Sequence, residues 1–409
     1  MHSDINACYA NIELLFRPEL RGKPMAVGGE EERRHGIVLS KTEEAGRCGV
    51  KTGMTLWQAH QVCPELLVVP PDFRRYVSLT RQVQRIYARY TDRREPFGID
   101  ESWLDLTGCV AVQDGRSAAE EIRERVKQEL GLTVSVGVSW NKAFAKLGSD
   151  YRKPDAVTVI SRENFRSLIW PMPVEALLYV GRANSKKLRD LGIRTIGELA
   201  QADEILLKKR MGKMGTTIHA CANGWDDSPV LREGQYPAAK SVGNGTTTPR
   251  DLRSEADAMP VMTSLAECVG TRPRRTGMLA GTVTLELRNA DLKWRSHRIR
   301  LTTPTDCDRE LRDIGLRLLR EAHQWPAPLR SLALRGEELF PAGAPEQIDI
   351  FEDYVNKTAQ RNLDRAVDRL RGKYGSGAVI RGAVFADPDM AVPPAQEEFS
   401  FVRKLEDLA

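Results

Sequence analysis

Apolar and polar positions change their period several times along the chain. From residue 1 to about 165, short β-branched runs such as TVSVGVS at 133–139 are followed by stretches of helical period such as 141–152. This alternation is typical of an α/β or α+β layer. A Pro-Pro pair at 70–71 precedes a long amphipathic stretch at 72–91, and a small subdomain is predicted over about 16–76.

The middle of the chain has a different pattern. Residues 166–233 show no strand period, and LLYVGRANSKKLRDLGI at 177–193 predicts a turn and then a helix that ends at Gly192. From 241 onward the alternation returns in TVTLELR at 282–288 and SHRIRLT at 296–302, while 306–322 is amphipathic. These patterns predict a small helical domain and then a strand-rich domain with helices on one face.

The last part of the chain begins with a breaker-rich segment. Residues 338–348 (ELFPAGAPEQI) are rich in Pro, Gly and Ala, which is typical of a linker, and a basic helix is predicted at about 357–373. A chain of 409 residues exceeds one hydrophobic core and favours about two to four domains. The predicted fold class is therefore α+β and multidomain.

Composition excludes several classes of protein. The hydrophobic fraction of 41% and charged fraction of 29% are ordinary for a globular protein. No apolar run approaches the ~20 residues that span a bilayer, and no signal-peptide pattern begins the chain, so a cytoplasmic protein is predicted. The seven cysteines are irregularly spaced, without C-x-x-C or a histidine cluster, and are interpreted as reduced thiols.

Positive charge is concentrated in one segment. The formal net charge is only +5. Residues 270–300 contain eight Lys and Arg against Glu286 and Asp291, a balance of 8 − 2 = +6. A polyanionic partner is a reasonable hypothesis for this segment.

Three carboxylates stand out as candidate metal ligands. Asp4 lies where a short strand runs into a helix (HSDINACYANIE, 2–13), and Asp100 and Glu101 lie between two predicted hairpin strands (EPFGIDESWLDLT, 95–107). Carboxylates at strand ends suit paired Mg²⁺ ions about 3.5–4 Å apart. On the residues alone, an exposed hairpin tip and a helix N-cap explain the pattern equally well.

These segments resemble the Y-family translesion DNA polymerases, in the bacterial polymerase IV group. The family's motifs read D-x-D/N-x-x-Y/F-A and S/L-D-E-x-x-L-D, and the resemblance runs from residue 2 to about 380. It implies a right-hand polymerase whose domains follow one another along the chain. They are the palm (1–15 and 77–165), small fingers (16–76), a thumb with a helix-hairpin-helix (166–233), an α/β little finger (241–337) and a C-terminal tail (338–409).

The resemblance also implies the catalytic groups. Asp4, Asp100 and Glu101 would bind two Mg²⁺ ions, for which Mn²⁺ can substitute, with help from the main-chain carbonyl of Ile5. The substrates would be dNTPs and primer-template DNA. Tyr9 occupies the steric-gate position, where an aromatic ring under the sugar excludes a 2′-hydroxyl.

The same resemblance assigns a nucleotide-binding set and shows where the chain departs from the family. That set is Cys8, Tyr9, Ser40, Arg47 and Lys153. At Glu43 and Gly46 many family members have a tyrosine and an arginine that touch the phosphates. Arg47 or Lys41 is expected to substitute.

Two further departures concern the first motif. Cys8 stands where an aromatic residue is commoner. Relatives carry several more residues of the first strand before the motif's aspartate, which favours a true start upstream of Met1.

Contacts to DNA and to a sliding clamp are implied as well. In the thumb, Tyr179 replaces the usual first glycine of the phosphate-binding turn, and Gly181 remains. The predicted DNA-binding residues are Gly181, Lys186, Lys187, Arg295, Arg298 and Arg300. The peptide QIDIF at 347–351, with Gln347, Ile350 and Phe351 as anchors, resembles the clamp-binding peptide of bacterial polymerases.

The resulting hypothesis is an error-prone translesion polymerase without proofreading, monomeric and without a membrane partner. A nucleotide cyclase on a palm-like sheet is one alternative, but it needs neither a thumb nor a basic little finger. A catalytically weak or inactive DNA-binding scaffold that is recruited to the clamp is the other. The altered positions Glu43 and Gly46 favour that second alternative, and the three carboxylates oppose it.

Overall fold

A computed structural model describes residues 1–30, 34, 36–109, 114–343 and 354–390. The chain divides into two compact units. The first contains Met1–Gly29 and Ile37–Tyr236, and the second contains the described residues of 30–36 and those from Pro237 onward.

The first unit contains eight strands and eleven α-helices in its described residues. The strands are β1 (His2–Ile5), β2 (Met25–Gly28), β3 (Val38–Lys41), β4 (Leu67–Val69), β5 (Arg94–Pro96), β6 (Glu101–Leu104), β7 (Val134–Val138) and β8 (Val157–Val159). The helices are α1 (Cys8–Phe16), α2 (Glu43–Arg47), α3 (Leu56–Val62), α4 (Phe73–Ala88), α5 (Gly115–Leu130), α6 (Lys142–Tyr151), α7 (Phe165–Ile169), α8 (Arg182–Asp190), α9 (Ile196–Gln201), α10 (Glu204–Met211) and α11 (Lys213–Ala222).

A five-stranded sheet in the order β5-β6-β1-β7-β8 forms the centre of this unit. The middle strand β1 is antiparallel to both β6 and β7, and all four of its residues are buried. The run at 133–139 is β7, whose Val134 and Val136 are fully buried in the core beneath α1 and α5. The alternating strands and helices predicted for this region are confirmed.

A separate three-stranded sheet, β3-β2-β4, lies within the predicted subdomain of 16–76. Its core contains Ala26, Val38 and Leu56. Helix α3 begins at a capping box, in which the Thr55 hydroxyl accepts from the backbone N–H of Gln58 and the Gln58 side chain accepts from the N–H of Thr55. The local sequence therefore fixes where this helix starts.

The region 166–233, which the structure describes completely, is helical and has no strand, as predicted. Helix α8 starts after Gly181 and ends before Gly192, whose φ of +80° favours glycine at this helix end. The turn and helix predicted at 177–193 are confirmed.

The second unit is built on a four-stranded antiparallel sheet in the order β11-β10-β12-β9. Its strands are β9 (Ser241–Leu252), β10 (Met278–Asn289), β11 (Trp294–Thr305) and β12 (Leu329–Pro341), and its helices are α12 (Glu255–Arg275), α13 (Asp308–Ala322), α14 (Tyr354–Tyr374) and α15 (Gly382–Phe385). Helices α12 and α13 cover one face, where Val283, Leu285 and Leu334 are fully buried.

Two boundaries near the C-terminus can be compared with the sequence. The helix predicted at 357–373 is confirmed as α14. Residues 338–341 of the predicted linker belong to β12 instead, because Leu339 and Phe340 pair regularly with β10. These two apolar residues precede Pro341, the first proline of that segment, and they continue the strand up to it.

Candidate active site

The sheet brings Asp4 and Glu101 side by side. They are register partners on the antiparallel strands β1 and β6. Asp100 immediately precedes β6, and its carbonyl accepts a hydrogen bond from the backbone N–H of Ile5 at 3.0 Å. The three predicted carboxylates thus come from two neighbouring strand ends, and Asp4 does not cap helix α1, whose N-cap is Ala7.

Each of the two facing carboxylates has a lysine partner. Lys153 Nζ lies 2.7 Å from Asp4 Oδ2 and also 2.7 Å from Asp150 Oδ1. Lys146 Nζ lies 2.5 Å from Glu101 Oε2. Two of the three carboxylates are thus paired with lysines, one on helix α6 and one in the turn that follows it.

A buried histidine supports Glu101 from the other side. His2 is fully buried, and its Nε2 lies 3.4 Å from Glu101 Oε2. On its other side, His2 Nδ1 forms a 2.8 Å hydrogen bond with Ser149 Oγ, and the Ser149 hydroxyl also lies 2.8 Å from the carbonyl of Lys146. His2 and Lys146 were not predicted from the sequence. The signal for His2 was its position two residues before Asp4, which puts both side chains on one face of β1.

The carboxylates differ in their protonation. Burial raises the pKa of Asp4 to about 7; Lys153 opposes the shift, and the charges of Glu101 and Asp100 add to it. Burial also raises the pKa of Asp100, with Glu101 as the next cause. Burial acts on Glu101 in the same direction, but hydrogen bonds from His2 and Lys146 outweigh it and hold its pKa well below the usual range. A positive charge at this site would favour ionisation of Asp4 and Asp100.

The donor set fits a hard divalent cation. All three side chains offer carboxylate oxygens, which Mg²⁺ and Mn²⁺ prefer. The three carboxylates do not each place an oxygen within 4.8 Å of the other two. Among the described residues, the one group of three possible ligands that lies this close together is Cys48, Cys63 and Glu65. Lys146 contacts only Oε2 of Glu101 and Lys153 only Oδ2 of Asp4, so each of these carboxylates has a second oxygen for a cation.

Tyr9 lies next to this cluster on α1. Its ring stacks on Tyr76 with centroids 4.6 Å apart and meets Phe73 edge-on at 5.7 Å. Tyr76 is fixed in turn by donating its hydroxyl hydrogen to the buried Glu13 at 2.8 Å. Burial and the nearby charge of Asp100 raise the pKa of Tyr9 to about 12. The ring is thus held rigidly and close to the carboxylates.

Of the other predicted nucleotide-binding residues, Cys8 and Ser40 lie at the start of α1, and Arg47 lies apart from them on α2. Cys8 is buried, and burial followed by the charges of Asp100 and Asp4 raises the pKa of its thiol. The Ser40 hydroxyl accepts from the backbone N–H of Ala10 at 3.3 Å, which joins β3 to α1. Arg47 is exposed and forms an ion pair with Glu43 at 2.6 Å.

The chain is similar to known proteins over most of its length. The impB/mucB/samB family matches residues 3–150, and the C-terminal domain of that family matches residues 239–350. DNA polymerase IV of Acetivibrio thermocellus is 42% identical over 388 residues, which cover 95% of this chain and 97% of the relative. The chain belongs to the DNA polymerase IV family. DNA polymerase IV 1 of Bacillus subtilis is 36% identical over 383 residues, which cover 93% of this chain and 92% of the relative.

A solved structure supports the fold of this family member independently. The "Y-family DNA polymerase chimera Dbh-Dpo4(243-245)-Dbh" superposes with a TM-score of 0.72 at 22% identity, covering 83% of this chain and 98% of the chimera. The α+β right-hand fold and the enzyme class predicted from the sequence, a DNA-directed DNA polymerase, are confirmed. Dependence on a divalent metal is general in this family.

The turn before α8, which was predicted to hold a phosphate, has Tyr179 where the family's first glycine stands. Tyr179 has a φ of +72°, in the left-handed region that favours glycine, and its side chain is half exposed. Its carbonyl accepts from the Asn184 side chain at 2.9 Å. Gly181 precedes α8, on which Lys186 and Lys187 are exposed.

In the second unit the predicted arginines divide between two sheet faces. Arg298 and Arg300 are exposed and point to the same side of β11, opposite the side covered by the helices. Arg295 has the other parity and lies beside a cavity lined by Leu287 and His323. Arg295 therefore does not share a sheet face with Arg298 and Arg300.

The basic segment 270–300 also contains an arginine that is buried. Arg274 is 3% exposed and pairs with Asp308 and Asp368, each at 2.7 Å. Its charge supports the packing of α14 on α12 and is not available to a ligand.

Three remaining predictions concern cysteines, the clamp peptide and membranes. All seven cysteines are free. Burial raises the pKa of Cys63 to about 11, so this thiol beside Cys48 is protonated at neutral pH. Gln347, Ile350 and Phe351 lie outside the described residues. Among the described helices, none combines the length and the apolar character that a membrane crossing requires.

Proposed function

We propose that this translesion DNA polymerase adds dNTPs to a primer 3′-hydroxyl, with Asp4, Asp100 and Glu101 as the metal-binding carboxylates. The observation that carries the proposal is the register pairing of Asp4 with Glu101 beside Asp100. Carboxylates on two adjacent strand ends can bind a pair of metal ions, and paired ions suit a nucleophilic displacement at phosphorus.

The chain's own groups have distinct tasks in this reaction. The three carboxylates and the Ile5 carbonyl would hold Mg²⁺, two ions in this proposal with Mn²⁺ as a substitute. The metal would lower the pKa of the attacking hydroxyl and neutralise the departing pyrophosphate. Lys153, released from Asp4, offsets charge on the triphosphate. His2 and Lys146 keep Glu101 ionised and oriented.

Tyr9 is proposed as the steric gate. Its stack on Tyr76, which Glu13 anchors, fixes the ring so that it cannot move aside for a 2′-hydroxyl. A rigid aromatic ring overlaps sterically with the 2′-hydroxyl of a ribonucleotide. This overlap weakens binding of the larger sugar, and no polar contact is needed for the discrimination.

The domain assignment is part of the proposal. We assign the five-stranded sheet (1–15 and 77–165) to the palm, 16–76 to the fingers, 166–233 to the thumb and 241–337 to the little finger. The helical thumb turn and the Arg298–Arg300 face are assigned to DNA phosphates. Synthesis without proofreading is part of the same proposal.

The peptide 347–351 is proposed to bind the sliding clamp, with the polymerase acting as a monomer. Substitution of Gln347 and Phe351 by alanine is expected to abolish clamp-stimulated synthesis and to leave clamp-independent synthesis intact. Equal stimulation of both proteins by the clamp would remove this assignment.

Single-nucleotide primer extension tests the function. With Mg²⁺ present, the purified protein is expected to insert the complementary dNTP opposite each of four template bases, and to stop when the metal is chelated. Retention of DNA binding with no insertion on any template would favour the scaffold alternative.

A further inference from the structure

A cavity of about 620 Å³ is lined by residues of α1, by the end of β3 and by the turn at 153–155. Its lining includes Lys153, the partner of Asp4, together with Lys41 and Arg21. We propose that Lys41 and Arg21 bind the triphosphate of the incoming nucleotide. This inference rests on the proposed function. It names the residues that contact the phosphates in place of the tyrosine and arginine that many family members have at positions 43 and 46.

The two cations of the cavity are available for a ligand. Among the described residues, neither Lys41 nor Arg21 has a carboxylate partner. The acids that line the cavity are already paired: Glu43 with Arg47 at 2.6 Å, and Asp155 with Arg123 at 2.8 Å. The cavity therefore has an excess of positive charge.

The ammonium group of Lys41 fills the space over Gly46. A Cβ placed on Gly46 would lie 2.5 Å from Lys41 Nζ and would meet only the far end of that flexible chain. The small residue thus makes room for Lys41, which reaches from β3 across α2. Arg47, the alternative substitute, does not line the cavity, and its guanidinium is held by Glu43.

The cavity suits a polyphosphate in place and size. Asn6 and Ala7, at the start of α1, form part of its wall, so the positive end of the nine-residue helix adds to the field of the cations. Its volume is in the range of small-molecule sites, about 300–1,000 Å³. Arg21 can offer a two-pronged donor and Lys41 a point charge, a combination that recurs in phosphate recognition.

Steady-state insertion kinetics test the proposal. Lys41→Met and Arg21→Met are each expected to raise the KM for dNTP about tenfold, the usual loss for one charge-assisted hydrogen bond, with a much smaller change in kcat. Lys41→Arg keeps the charge and is expected to restore most of the loss. Lys51→Met, which removes an exposed fingers lysine outside the cavity, is the matched control.

Arg47→Ala separates the two candidate substitutes. The KM is expected to rise more in Lys41→Met than in Arg47→Ala, and the opposite order overturns the proposal. An unchanged KM in both Lys41→Met and Arg21→Met overturns it as well.

A binding measurement makes the result independent of turnover. Calorimetric titration with Mg²⁺ and tripolyphosphate is expected to show about tenfold weaker binding to Lys41→Met than to the wild type. If the wild type extends no primer, the proposed function fails, and equal tripolyphosphate binding by the two proteins would overturn the present inference separately.

Discussion

Asp4 and Glu101 face each other across two antiparallel strands, and each carboxylate is held by a different lysine. Lys153 holds Asp4 and Lys146 holds Glu101. The strand pairing fixes where the two Cα atoms lie, while the lysines decide where the carboxylate oxygens point. The proposed catalytic centre thus combines a rigid backbone frame with charged side chains that orient its carboxylates.

The stacked ring of Tyr9 predicts sugar selectivity. Tyr9→Ala is expected to raise ribonucleotide insertion relative to deoxyribonucleotide insertion by about 10- to 200-fold, the range for relieving one steric overlap in a pocket. Tyr9→Phe keeps the ring and should discriminate like the wild type. The ratio of kcat/KM for rCTP and dCTP opposite template guanine gives the answer, and an unchanged ratio in Tyr9→Ala would remove Tyr9 as the gate.

The open face of the second sheet predicts a salt-dependent grip on DNA. Arg298→Ala and Arg300→Ala are each expected to weaken duplex binding on any sequence and to lower the slope of log K against log salt by about 1. Arg309→Ala, an exposed arginine on α13, serves as the control. Fluorescence anisotropy at several salt concentrations measures the slope. A loss confined to particular sequences would contradict a phosphate contact.

Tyr179 predicts a stabilising substitution. A left-handed conformation destabilises a residue with a Cβ by about 1–2 kcal/mol. Glycine avoids this strain, but its greater freedom in the unfolded chain offsets about 0.5–1 kcal/mol of the gain in stability. Tyr179→Gly is therefore expected to raise the free energy of unfolding by about 1 kcal/mol. Gly192→Ala, at a φ of +80°, should lower it. Destabilisation by Tyr179→Gly in urea melts would show that the exposed ring contributes more than the strain costs.

Much of the fold could be predicted from periodicity and local signals. The buried run at 133–139 became a central strand, and the turn at Gly181 became a helix start, because the local preference agreed with the packing. The end of β12 was predicted too early because its pairing with β10 is set by residues distant in sequence. Long-range pairing of this kind leaves no local trace.

The site could be predicted only as far as its motifs extend. Asp4, Asp100 and Glu101 stand in motifs, and Lys41 was one of two expected substitutes, whereas Arg21 is an isolated basic residue in the sequence. The place of Lys41 and Arg21 in one cavity depends on how the fingers sheet packs against α1. The sequence alone shows that Arg295 points to the opposite side of β11 from Arg298 and Arg300. The burial of Arg274 could not be predicted, because its partner Asp368 lies on a helix distant in sequence.

The most direct test of the catalytic trio is the single-turnover insertion rate with saturating DNA and dNTP. Asp4→Asn, Asp100→Asn and Glu101→Gln keep the side-chain shapes and remove one metal-binding charge each. Glu129→Gln, at an exposed ion pair with Arg89, is the control. Each of the three variants is predicted to lose at least about a hundredfold in rate, which corresponds to roughly 2.7 kcal/mol, with DNA affinity unchanged. A variant of Asp4 or Glu101 that inserts nucleotides at the wild-type rate would contradict the account.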